Sequence, residues 1–250
     1  MRKSIPGKFL WFELATRDVA QAKAFYADVL GWTARAFPAG PTTYEMIFYG
    51  DTLDTMVGSY TPSQGAARWL SCVSVRDVGA TVALATANGG TVIDPVVELP
   101  GIGRRATIRD PQGAAVCLFE RVQDDKPDVA YAKPGEFFWN ELHTTDPRAA
   151  VEFYAEVIGY RHEAMGEYRV LSSAGAGRAG VTGLDGGTPY WLPYVMTEDV
   201  DATLARVVPA GGRVATRATD IPGIGRYGVL HDPAGAALAV MKPIPPANKH

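Results

Sequence analysis

Val19, Ala22, Phe25, Tyr26, Val29 and Leu30 recur at helical spacing and predict an amphipathic helix over 18–30. Asp18 stands where an N-cap carboxylate accepts first-turn amides, and Gly31 where a left-handed residue ends a helix. The same grammar returns later. Asp146 is followed by Pro147, which needs no amide at the first helical position, and Gly159 closes the stretch. A further helix over 77–87 opens at Asp77 and stops at Asn88-Gly89-Gly90. Short apolar runs broken by Gly and Pro, at 43–49, 91–98, 106–109 and 114–120, read as strands. Residues 11–18 and 70–77 each read as a strand running into a helix start. The pattern is a β-α-β-β-β module used four times.

The modules come in two copies. Residues 7–32 align with 135–160 at an offset of 128, with 13 of 26 positions identical. Unrelated segments of average composition would share about two. A second block aligns 69–120 with 191–242 at an offset of 122, so the second copy is six residues shorter between the blocks. This block pairs Trp69 with Trp191, and Asp110-Pro111 with Asp232-Pro233. Pro100-Gly101-Ile102-Gly103-Arg104 recurs unchanged as Pro222 to Arg226. The period is too long for a solenoid and marks a duplicated domain. Domains are expected over 1–125 and 126–250, with the polar, proline-bearing stretch 123–134 as the link.

Composition narrows the function classes. The chain has 250 residues, 47% apolar and 20% charged, with a net charge of −3. That balance gives no basic footprint for nucleic acid. No apolar run approaches the roughly 20 residues of a membrane helix. Residues 1–7 lack an apolar signal core, which reads as a cytoplasmic protein. Two cysteines, Cys72 and Cys117, make neither a disulfide framework nor a zinc spacing.

Asp18, Phe25-Tyr26, Val29-Leu30-Gly31 and Asp110-Pro111-Gln112-Gly113, with their counterparts Asp146, Phe153-Tyr154, Val157-Ile158-Gly159 and Asp232-Pro233-Ala234-Gly235, resemble the vicinal oxygen chelate superfamily. That group includes glyoxalase I, extradiol dioxygenases and bleomycin- and fosfomycin-resistance proteins. The Trp-x-Glu-Leu opening with Pro-Gly-Ile-Gly-Arg resembles a bacterial two-domain, glyoxalase-like subgroup. The resemblance implies an α+β fold of four βαβββ modules, paired into two glyoxalase-like domains whose curved mixed sheets enclose a cleft. It also implies a divalent metal. One ligand would lie seven residues before the helix-starting Asp, and another four residues after the Gly of Asp-Pro-x-Gly. The matching positions are Trp11, Leu70, Trp139 and Leu192, then Cys117 and Ala239. Indole, leucine and alanine offer a hard cation no donor. No metal ligand set and no cofactor are therefore expected, and a metal-dependent lyase or dioxygenase stands as an alternative.

Strand side chains alternate, so Trp139, Glu141 and His143 share a face, as do Trp11 and Glu13. If Trp stands at the ligand position, that face lines the cleft and carries one carboxyl in each half. Beside indole and away from water, such a carboxyl suits acid–base work. Glu13 and Glu141 also read as structural partners of an arginine or of backbone amides, or as metal ligands, with Glu141, His143 and a further donor holding the ion. His143, which faces Ala15 in the alignment, is either an ordinary hydrogen-bonded His or a residue special to the second half. Cys72 shares a face with Leu70 and Ser74. With Cys117 it reads as two inert buried thiols, or as a thiol pair for a soft metal or redox step. Arg104 and Arg226 begin strands after turns, placed to pair with carboxylates or to hold an anionic ligand. Trp69, Trp191, Tyr44, Tyr168, Phe48 and Tyr194 read as core or cleft wall, or as an aromatic pocket for a planar ligand. The expected partner is a small, largely apolar or aromatic molecule, bound by a monomer or homodimer. It is either sequestered as a toxin would be or acted on by Glu13 or Glu141, with His143.

Overall fold

The computed structural model describes residues 3–39 and 42–245; Met1 and Arg2, part of the stretch read above for a signal core, lie outside these. The first module runs β1 (Phe9–Thr16), α1 (Val19–Leu30), β2 (Thr33–Ala39), β3 (Thr42–Phe48) and β4 (Met56–Pro62). The second is β5 (Arg68–Ser74), α2 (Val78–Ala87), β6 (Thr91–Leu99), β7 (Gly103–Arg109) and β8 (Ala115–Arg121). The third is β9 (Phe137–Thr144), α3 (Pro147–Ile158), β10 (Arg161–Met165), β11 (Tyr168–Ser173) and β12 (Ala176–Gly183). The fourth is β13 (Tyr190–Met196), α4 (Val200–Val207), β14 (Arg213–Ile221), β15 (Gly225–His231) and β16 (Ala237–Pro243).

The first three helices start where the sequence predicts, and the fourth starts at Asp199, the counterpart of Asp77 in the second copy. Asp18, Asp77, Asp146 and Asp199 accept first-turn amides from Gln21, Ala80, Arg148 with Ala149, and Ala202. Such caps contribute about 1 kcal/mol each. Gly31 and Gly159 end α1 and α3 at φ 70° and 84°, a conformation that a Cβ disfavours. The apolar stripe of α1 buries Ala22, Phe25, Tyr26 and Val29. None of the helices among the described residues is long and apolar enough to cross a membrane.

The two halves form two eight-stranded mixed sheets of the same topology. Their orders are β2-β3-β4-β1-β5-β8-β7-β6 and β10-β11-β12-β9-β13-β16-β15-β14. β1 runs parallel to β4, and β5 parallel to β8, while the hairpins are antiparallel. The Pro-Gly-Ile-Gly segments are the turns of the β6–β7 and β14–β15 hairpins. Packing divides the chain differently from the sequence halves. One compact unit gathers the described residues up to Trp11, Leu70–Pro127 and Trp139–Leu192, and so most of the second and third modules. The other gathers Phe12–Trp69, Asp128–Phe138 and the described residues from Pro193 onward.

The residues that carry the family resemblance hold each unit together. In the first, Trp191 Nε1 donates to Tyr154 Oη at 3.1 Å, and Tyr154 donates to Asp110 Oδ2 at 3.1 Å. Asp110 Oδ1 also accepts the amides of Gln112, Gly113 and Ala114. The second unit repeats this chain with Trp69, Tyr26 and Asp232, at 2.9 and 3.3 Å. Burial raises both Asp carboxyls and both phenols above their ordinary values. Around the first chain lies a core that includes Val73, Ile108, Leu118, Leu142, Leu171 and Val181. Each such side chain contributes about 1.5–3 kcal/mol by leaving water. Leu142, Ala179 and Val181 point into it, so Trp139, Glu141, His143 and Gly180 lie on the opposite, open face of their sheet.

Candidate functional site

On that open face the third module builds a polar network within an aromatic frame. Glu141 and His143 are alternate residues of β9, with side chains only 14% and 20% exposed. His143 Nε2 lies 2.9 Å from Glu141 Oε1. That nitrogen is buried and makes no aligned hydrogen bond. The pair is thus close in space without an aligned hydrogen bond between the two groups. Tyr168, from β11, donates its hydroxyl to Glu141 Oε2 at 2.9 Å and accepts from Trp139 Nε1 at 3.2 Å. The His143 ring lies flat on Tyr190, with centroids 4.8 Å apart and an interplanar angle of 2°. Trp139, Tyr168, Glu141, His143 and Tyr190 are therefore one continuous constellation.

Two features of β12 make it possible. Glu141 is register-paired with Gly180, and a Cβ on Gly180 would sit 1.6 Å from the Tyr168 hydroxyl. Any side chain there would push the phenol off the strand and away from the carboxylate. The indole of Trp139 lies over Gly177, its ring 3.4 Å from where a Cβ would stand. Electrostatics follow from this crowding. Burial, and then the Glu141 carboxylate, hold the Tyr168 phenol well above its ordinary range. The same two causes, in the same order, raise Tyr190. Both phenols therefore stay protonated as hydrogen-bond donors through neutral pH.

The other expected site residues fall elsewhere. Glu13, half-buried on β1, pairs in register with Ser59 and belongs to the second compact unit. Tyr194 is buried in that same unit and stacks on Tyr227, with centroids 6.4 Å apart. Arg226 is bound to Asp201 at 2.7 and 2.9 Å and to Asp220 at 3.0 Å. Arg104 sits 3.0 Å from Glu98 and 3.5 Å from Glu120. Both arginines thus hold carboxylates of their own module rather than Glu13 or Glu141. Cys72 and Cys117 are buried, are not joined in a disulfide, and form a small cluster with Leu70, flanked by Trp11 and Phe119.

This cluster occupies the positions where the resemblance implies a divalent metal. Trp11, Leu70 and Cys117 contribute indole, aliphatic carbon and one thiol there, and Trp139 and Leu192 stand at the matching places on β9 and β13. No group of three or more His, Cys, Asp or Glu able to hold a metal occurs among the described residues. The donor set does not fit a hard divalent cation, which needs several oxygen or imidazole ligands. The sequence singles out neither Tyr190 nor Gly180, and offers Tyr168 as core, cleft wall or part of an aromatic pocket. The period-2 alternation of β13 was the available signal for Tyr190, since it places that residue beside Leu192 on the open face.

Comparison with known proteins agrees with the duplicated architecture. The pattern defining the glyoxalase/bleomycin resistance protein/dioxygenase superfamily matches residues 8–118, and that of a glyoxalase-like domain matches residues 139–241. A Mycobacterium tuberculosis protein named "Putative glyoxylase CFP32" is 34% identical over 250 residues, 94% of each chain. The anthracycline biosynthesis protein DauV of Streptomyces sp. strain C5 is 30% identical over 266 residues, covering 97% of this chain and 95% of its own. Among solved structures, the Mn(II)-bound glyoxalase from Novosphingobium aromaticivorans superposes with a TM-score of 0.68 at 18% identity. That match covers 96% of this chain and 83% of the other, and at such identity the likeness speaks for the fold alone.

Proposed function

The chain belongs to the glyoxalase/bleomycin resistance/dioxygenase superfamily, and from that premise we propose that its second half binds a small, largely apolar or aromatic molecule on the open face of β9, where Glu141 moves a proton to or from it without a tightly held divalent metal. The observation that carries this reading is the Tyr168–Glu141–His143 network, enclosed by Trp139 and Tyr190. Indole and phenol rings offer flat apolar contact, and the few polar groups between them give orientation. One relative is named for anthracycline biosynthesis. An aromatic ligand here accords with that name.

The two carboxylate oxygens have different tasks. Tyr168 occupies Oε2 and fixes the plane of the group. Oε1 faces His143 and is the oxygen that accepts the proton. The imidazole, 2.9 Å away and without an aligned hydrogen bond, takes that proton on or returns it to the ligand. A base with a neighbouring proton acceptor suits lyase and isomerase steps beside a carbonyl.

The test starts with tryptophan-fluorescence titration of a panel of planar aromatic ketones and phenols, followed by turnover assays on those that bind. Glu141→Gln keeps the shape and removes the base. Binding within a few-fold of wild type, with turnover lowered by about a hundredfold or more, is the expected result. Unchanged turnover in that variant contradicts the proton-transfer role. Stoichiometric zinc, iron or manganese in the purified protein contradicts the metal-free part.

A further inference from the structure

We infer that the open face of the first sheet is a dithiolate site for a soft monovalent cation of the copper(I) class. Three side chains form a row across three neighbouring strands. Cys72 on β5 is register-paired with Cys117 on β8, and Cys117 is register-paired with Thr107 on β7. Directly paired residues project to the same side of a sheet, from backbones about 4.8 Å apart. The opposite side is occupied by the main core, into which Val73, Val116 and Leu118 point. The two thiols are therefore side by side, in a separate apolar cluster with Leu70.

Thr107 supplies an independent observation. Its residue is 1% exposed, and its hydroxyl is buried without a hydrogen-bond partner. A buried hydroxyl left unpaired costs about 1–3 kcal/mol. A thiolate at Cys117, whose thiol now donates to the Leu118 carbonyl at 3.6 Å, would accept a hydrogen bond from this hydroxyl and remove that cost.

The donor set selects the ion. Zinc requires four ligands and hard cations require several oxygens, whereas this row offers two sulfurs and one hydroxyl. Thiolates favour Cu(I), a soft ion satisfied by two sulfur donors. On binding, both thiols release their protons to solvent, two Cu–S bonds form, and no electron is transferred. The edge of the cluster, formed by the partly buried Trp11, Ala115 and Phe119, is the route of entry.

The experiment uses the full chain under nitrogen, with Cu(I) supplied in ascorbate and bicinchoninate as the competing chelator. One Cu(I) per chain is expected to be retained. Cys72→Ala and Cys117→Ala should each abolish retention, and Thr107→Val should weaken it by about tenfold, as loss of an outer-shell partner does. Far-UV circular dichroism checks the folding of each variant. X-ray absorption on the wild-type complex gives a readout that needs no variant and should find two sulfur neighbours. No copper held against the chelator, retention unchanged in folded cysteine variants, or a nitrogen and oxygen shell would each overturn the site.

Discussion

β1 and β9 carry the same Trp-x-Glu opening, yet their surroundings are built to different ends. Around Glu141 stand His143, Tyr168, Gly180 and Tyr190. At the corresponding places around Glu13 the chain has Ala15, Tyr44, Ser59 and Arg68. Three of the four positions differ, and one explains much of the rest. Tyr44 is present, but Ser59 has the Cβ that the Gly180 position does not admit beneath a phenol. The absence of a side chain at Gly180 is thus what lets Tyr168 lie across the strand onto Glu141. Duplication kept the frame in both halves, while one glycine and two aromatic or imidazole rings distinguish the second.

The largest expected effect on stability comes from erasing that difference. Gly180→Ser should displace Tyr168, break its bond to Glu141 and lower stability by about 1–3 kcal/mol, as overpacking does. Urea unfolding reads the stability, and tryptophan fluorescence reads the disturbed Trp139 environment. The mirror change, Ser59→Gly, should cost only about 0.5–1 kcal/mol, through backbone entropy. Equal effects from the two variants would mean that the halves are not built differently at this point.

Next in size is the aromatic wall. Tyr190→Ala removes the ring stacked on His143 and should weaken aromatic ligands by about tenfold, or about 1.4 kcal/mol. Arg68→Ala, at the matching position of the first half, should leave that affinity within about twofold. Titration by fluorescence quenching compares the two directly.

The smallest effect tests where the halves are alike. Burial holds Asp110 and Asp232 above their ordinary 3.8, so the folded chain keeps protons that the unfolded chain has released. From pH 3.8 up to the raised folded values, stability therefore falls as pH rises. Asp110→Asn and Asp232→Asn should each flatten that slope, and by the same amount within about 0.5 kcal/mol. Thermal unfolding between pH 3.5 and about 6 measures this.

The fold was legible because its signals are local and repeated. Asp18, Asp146 and Pro147, Gly31 and Gly159 announce helix ends, and a doubled pattern is hard to miss. The face shared by Trp139, Glu141 and His143 followed from strand alternation alone. The partners were not legible, because they come from other strands. Tyr168 and Tyr190 reach Glu141 and His143 through sheet register, which depends on the pairing of β11, β12 and β13 with their neighbours. Likewise Tyr26, Tyr154, Asp110 and Asp232 look in sequence like family marks. Only packing reveals them as bonds between modules distant in the chain.

The most direct test of the account is to make Glu13→Gln and Glu141→Gln in parallel and measure turnover of one bound aromatic substrate. The account predicts a loss of about 10²–10⁴ in kcat for the Glu141 variant and a change within about threefold for Glu13. Equal losses, or a larger loss at Glu13, would contradict it.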